Sequence, residues 1–162
     1  MKLNASNGSI IAASLALIIV GIMIGFDVHG GFGGPDLEDR PGYVQYALEE
    51  SDSITTNYGE RESSEGYKFV VVSYNIVNNS YDQGILLGPS FFDLECQGVT
   101  YKYSTYTFSY PGYVSGVGEI LPSGSVDTKI VYQVPSNVNL DSISVIWDGY
   151  PEDLYFERVG AS

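Results

Sequence analysis

Apolar and polar positions alternate with period two through the middle of the chain. Val70, Val72, Tyr74 and Ile76 fall on one side, and Val71, Ser73, Asn75 and Val77 on the other. That spacing predicts a β-strand across residues 67–80, with a strongly apolar face and a mixed one. A helix would wrap Val70, Val71 and Val72 right round its axis. Asn78-Asn79-Ser80 ends the run, because Asn and Ser favour turns through side-chain bonds to the local backbone. A second alternation sets Val126, Thr128, Ile130, Tyr132 and Val134 against Asp127, Lys129, Val131 and Gln133, and stops at Pro135. A third places Ile143, Val145 and Trp147 on one face before Asp148-Gly149.

Shorter apolar runs at 43–48, 53–58, 85–87, 115–121 and 154–156 predict further strands. Residues 91–96 and 99–107 flank Gln97-Gly98, a two-residue hairpin signal. Pro122-Ser123-Gly124 marks another turn. Frequent turns between short β-branched and aromatic runs predict an all-β, immunoglobulin-like β-sandwich over 42–162, with the single Trp packed between its sheets.

Ahead of that domain, residues 10–26 carry no charge, which is the short end of a membrane-spanning helix. The fold expected is therefore a β-sandwich preceded by one N-terminal apolar helix. Lys2 before the segment and Asp27 after it predict an N-in, C-out orientation. A retained anchor is preferred to a cleaved signal peptide, because no small-x-small site follows the apolar run. No cysteine follows it either, which excludes a lipoprotein anchor. An assembly tail of the pilin kind is a further alternative, although no basic residue precedes a processing site and no acid lies within the run. Residues 27–41 form a linker, glycine-rich at first and then acidic, of the kind that behaves as a flexible coil.

Charge and chemistry narrow the function. The 162-residue chain holds 7 basic and 20 acidic residues, for a formal net charge of −13. That balance disfavours nucleic acid as a partner. The one cysteine, Cys96, excludes an internal disulfide and reads as a small strand residue. The one histidine, His29, lies in the linker with no thiol or second imidazole near it, so no metal or cofactor is expected. The acids between Asp36 and Glu65 lack an Asp-x-Asp-x-Asp loop with a spaced Glu, and read as a solvated edge rather than a calcium loop. No nucleophile elbow or phosphate loop occurs, and the linker histidine leaves no general base, so catalysis is not expected.

The alternating strand ending in Asn-Asn, the Phe92-x-Leu94 … Gly98-x-x-Tyr101 hairpin, and the Pro-Ser-Gly turn before a strand closing in Val134-Pro135 together resemble a known family. It is the telokin-like, immunoglobulin-type extracellular domain known as domain-of-unknown-function family 4352, over residues 42–150. The resemblance implies an immunoglobulin-like sandwich on secreted or membrane-anchored proteins and carries no catalytic residue over. It implies a structural role for Asn78, bonding a neighbouring loop. This sequence departs from the family in the tyrosine-rich segment that follows the hairpin.

That segment holds Tyr101, Tyr103, Tyr106, Phe108, Tyr110 and Tyr113 within 101–113. Tyrosine offers a large, stiff surface with a polar tip, which suits protein contacts and sugar stacking. The alternation changes phase between Tyr103 and Tyr106, so some rings should point outward. Tyr103, Tyr106, Phe108, Tyr110 and Tyr113 are the candidate partner-binding residues. The bland alternative is that they cover the sandwich edge. Asn78-Asn79-Ser80 also matches the N-glycosylation pattern, which makes Asn78 a candidate for modification.

The function expected is a membrane-anchored extracellular binding or adhesion module without catalysis. Its partner would be a cell-surface protein or glycan, and residues 10–26 would hold it in the membrane. The alternative is a structural subunit of a surface filament or envelope complex, self-assembled through the N-terminal helix, and a secreted form is the alternative location.

Overall fold

The computed structural model describes residues 36–114 and 118–160. The predicted apolar helix at 10–26, linker residues 27–35 and residues 115–117 lie outside the described residues. Within them the chain is all-β, with only short 3₁₀ turns between strands. Among the described residues no helix is long and apolar enough to cross a membrane.

The alternating stretch forms β4 (Tyr67–Asn78). It pairs antiparallel along its length with β1 (Gly42–Ser51) on one side and β9 (Gly124–Pro135) on the other. The last strand, β11 (Tyr155–Arg158), adds in parallel to β1 and completes a sheet ordered β11-β1-β4-β9. A second sheet sets β10 (Ser144–Trp147) and β7 (Val99–Tyr101) either side of β6 (Phe92–Cys96). β2 (Ser53–Thr56) and β3 (Gly59–Glu62) make a separate hairpin, and β5 (Ile85–Leu86) pairs with β8 (Glu119–Ile120).

The two main sheets face each other across one core. Val70, Val72, Tyr74 and Ile76 from β4 meet Phe92 and Leu94 from β6, all essentially without exposure. The Tyr74 and Phe92 rings lie 4.6 Å apart. The Tyr132 hydroxyl donates to the Phe92 carbonyl at 2.9 Å and lies 3.3 Å from the Tyr74 hydroxyl. A buried phenol needs such a partner, so these bonds fix the spacing of the layers. Trp147 packs at the mouth of the core against Phe92 and Phe156, and its indole N–H donates to the Pro151 carbonyl. Cys96 is buried in β6. The arrangement is β-sandwich-like.

β4 is unusual in being buried on both faces from Phe69 to Val72 and on one face thereafter. Phe69 and Val71 point away from the main core into a second cluster with Ile54 and Val131, closed by Tyr106 and Tyr110. The triple valine is thus a strand covered on both sides, not a helix turn.

Several predicted strands differ from the observed ones. The Gln97-Gly98 hairpin forms, with both turn residues at positive φ (53° and 79°), as a two-residue turn that matches strand twist requires. The predicted strand 99–107, however, ends at Tyr101. The Ser104 hydroxyl accepts from the Tyr106 N–H at 3.3 Å and starts a 3₁₀ turn over Thr105–Ser109. Predicted strand 53–58 stops at Thr56, where the chain reverses into β3, whose Gly-Glu-Arg-Glu sequence carries no apolar alternation. Predicted strand 43–48 extends to Ser51, held by pairing with β4.

Candidate functional site

The tyrosine-rich segment leaves the second sheet and lies along the open edge of β9. Tyr103 forms a lone bridge with Tyr132, and the Ser104 N–H donates to the Val131 carbonyl at 2.7 Å. The Thr107 hydroxyl replaces a strand partner: it accepts from the Val131 N–H at 3.0 Å and donates to the Val131 carbonyl at 3.1 Å. Further along, the Lys129 N–H donates to the Gly112 carbonyl. An exposed edge invites pairing with another chain, and this segment occupies it.

Its aromatic side chains divide into two sets. Tyr106 meets Phe69 edge-to-face at 5.8 Å, and with Tyr110 it roofs the second cluster. Burial and then the nearby Glu49 carboxylate raise the pKa of the Tyr110 hydroxyl. These two candidate contact residues therefore serve the fold. Of the five candidates only Phe108 is exposed. It stands over Tyr103, which is half-buried against the main core, and the half-buried Tyr113, and the three make an aromatic ridge with Phe108 at its crest. Phe108 stands 5.7 Å from Tyr103 and 5.6 Å from Tyr113, nearly perpendicular to both, and is 55% exposed. Burial, then the neighbouring Tyr103, raises the pKa of Tyr113. The Asn57 N–H bonds the Ser109 carbonyl, which brings the β2–β3 turn and its 79% exposed Tyr58 beside this segment. The sequence placed Tyr58 at the end of predicted strand 53–58 and gave no sign that its ring would stand exposed in a turn.

Asn78 sits at the opposite end of β4 and is fully buried. Its amide nitrogen donates to the carbonyls of Ile120 (2.8 Å) and Tyr81 (3.2 Å), and its oxygen accepts from the Tyr81 N–H (2.8 Å). Glycan attachment at Asn78 is incompatible with this folded environment, because the nitrogen to be modified has no exposure. Asn79 turns the other way. Its amide donates to the carbonyls of Arg40 and Leu37, and the Asn79 and Ser80 N–H groups share the Pro41 carbonyl. The Arg40 guanidinium lies 3.6 Å over the Tyr155 ring. The Asn-Asn pair thus ties the incoming chain to one side of β4 and the 81–85 loop to the other.

Among the described residues no three His, Cys, Asp or Glu side chains gather as a metal-binding group. Asp93, 6% exposed on β6, is paired with Lys102.

These features define a β-sandwich-like all-β domain with a pinned aromatic ridge. The chain belongs to the family described as Domain of unknown function (DUF4352), whose model matches residues 40–150. Searches of curated proteins and of solved structures found no match.

Proposed function

We propose that this protein is a non-catalytic, immunoglobulin-like binding or adhesion module, displayed outside the cell on the apolar segment at 10–26. The observation that carries the reading is Phe108: a half-exposed apolar ring wedged between Tyr103 and Tyr113, on backbone pinned to β9. Rigid exposed aromatics lose little conformational freedom on binding and are the residues that dominate interface energies. The chain enters the domain at Gly42, while the ridge lies over the sheet's other end, near the register of Glu50. At a strand's rise per residue those positions are roughly 26 Å apart, so the ridge lies at the end of the sheet opposite Gly42. The partner is a cell-surface protein or a neutral glycan, since a net charge of −13 repels anionic polymers.

The test uses the full chain in detergent, immobilised and exposed to envelope proteins and glycans, alongside Phe108→Ala and Tyr106→Ala. Phe108→Ala should lose binding at a stability cost of about 1–2 kcal/mol, from two edge-to-face contacts. Tyr106→Ala should cost about 3 kcal/mol by opening the second cluster. Undiminished binding by Phe108→Ala would remove the reading. Recovery of the protein as sheared, high-mass filaments rather than detergent-soluble monomers would favour a structural subunit instead.

A further inference from the structure

The outer face of the main sheet is covered at one end by two separate pieces of chain, the β2–β3 hairpin and the aromatic segment. They do not meet. Between them lies a cleft of about 430 Å³, with Val71 from β4, Ile54 from β2, and Tyr110 and Pro111 from the aromatic segment among its lining residues. That volume is in the range of small-ligand sites, roughly 300–1,000 Å³. Three observations indicate what would fit.

First, Ser53, Ile54 and Thr55 all line the cleft in succession. They belong to a strand that pairs with β3 on one side. On the other side the Ser51 hydroxyl already bonds the Ser53 N–H and carbonyl while the Ser109 carbonyl takes the Asn57 N–H, which leaves Thr55 between them. A side-chain face presents every second residue, so three in a row present a strand edge. That short open stretch can bond one peptide unit of an extended chain, the smallest form of strand addition. Second, the lining carries two opposite charges without ion-pair partners among the described residues, Glu49 and Lys129. The third charged side chain there, Glu50, is already paired with Lys68. Third, Glu49 and Lys129 stand on β1 and β9 with β4 between them, in register with Val71 and Ser73 respectively. Two inter-strand spacings and a two-residue offset put their backbones roughly 12 Å apart. A free amino acid, with both charges on one carbon, could meet both groups only if both long side chains folded inward, and the Lys129 side chain instead runs beside Gly112. A chain of two or three residues, at up to about 3.5 Å each, spans them.

We propose that this cleft binds a short, free-ended peptide with apolar side chains, its ammonium end at Glu49 and its carboxylate at Lys129. The peptide backbone meets β2 at Thr55, and its side chains rest on Tyr110 and Pro111, above the buried Val71 and Ile54. The Tyr110 pKa is raised partly by Glu49, which places that carboxylate close to the aromatic wall. The site is separate from the Phe108 ridge and does not depend on it.

The experiment is calorimetric titration of the full chain in detergent with the tripeptide Ala-Val-Ala, its N-acetylated form, its C-amidated form and free valine. The free-ended tripeptide should bind, and free valine should bind much more weakly or not at all. Blocking either end should weaken binding about tenfold, the worth of a charge-assisted contact. Glu49→Gln should weaken the free peptide about tenfold and leave the acetylated one unaffected. Lys129→Met should show the same relation to the amidated peptide. Phe108→Ala should change nothing. Saturable binding absent up to about 10 mM, equal affinity for blocked and free peptides, or indifference to both charge substitutions would each overturn the proposal.

Discussion

Asn78 offers the most direct test of how this domain is held together. It lies at the end of the central strand with no exposure, and three hydrogen bonds of 2.8–3.2 Å join it to Tyr81 and Ile120. Asn78→Ala orphans the Tyr81 N–H and the Ile120 carbonyl, the latter on a buried residue. Each buried group left without a partner costs about 1–3 kcal/mol. Water reaches part of Tyr81, so the total should be about 3–4 kcal/mol, a large share of the ~5–15 kcal/mol that stabilises a typical domain. Trp147, the chain's one Trp, packs against Phe91, Phe92 and Phe156 and so reports unfolding in urea by its fluorescence. Asn78→Asp sharpens the test. A carboxylate there would face two carbonyl oxygens, so only the protonated acid can take the place of the amide. Its folded pKa must lie above the unfolded value of about 4. The folded state then binds the proton more tightly, and stability falls as pH rises from about 4, by up to ~1.4 kcal/mol per pH unit relative to wild type. A loss under about 1 kcal/mol for Asn78→Ala, or a pH-independent difference for Asn78→Asp, would refute the argument.

Two further predictions concern the edge and the core. Thr107→Val keeps the side chain's shape but removes both hydroxyl bonds to Val131. It should cost about 1–3 kcal/mol and speed amide exchange at Val131, and a midpoint within about 0.5 kcal/mol of wild type would argue against the edge-sealing role. At alkaline pH, burial, followed by the neighbouring phenol, holds the Tyr74 pKa well above its usual value, and burial also raises that of Tyr132. Tyr81 is pushed up to about 12 by burial and by its bond to the Asp153 carboxylate. Unfolded tyrosine ionises near 10, so this stability is fully present below pH 10 and is lost as pH rises above it. Absorbance at 295 nm should show the last tyrosines ionising together with loss of the Trp147 signal. All 14 ionising near pH 10 in a folded chain would contradict the buried pair.

What sequence reveals here follows how many faces of an element are covered. β4 and β9 alternate because each has one face on the main core, and both were legible from that period. β3 was not, since three of its four residues are exposed and nothing selects an apolar position. Asn78 and Asn79 stood out as a strand end, but their opposite tasks depend on Ile120 and Arg40, some forty residues away in either direction. Glu49 and Lys129 are eighty positions apart, and only the register through β4 brings them to one cleft. The phase change between Tyr103 and Tyr106 was a true signal that the chain leaves the sheet. It could not say which rings turn outward, because that is decided by the β9 edge.

That edge explains why structural and outward-facing residues share one segment. A chain sealing β9 must follow its backbone, and here it does so with a 3₁₀ turn in place of a strand. In such a turn side chains at i and i+3 lie one above the other, whereas a strand would alternate them between two faces. Thr107 and Tyr110 accordingly fall on the β9 side, while Phe108 falls on the other. The inward set fixes the backbone, and the fixed backbone keeps the outward ring from swinging freely. If so, loosening the seal should also blunt the ridge. Thr107→Val, which alters no exposed aromatic side chain, should weaken whatever Phe108 binds by more than its distance from the partner would imply, whereas Asn78→Ala, at the far end of β4, should reduce stability and leave the affinity of the still-folded fraction unchanged.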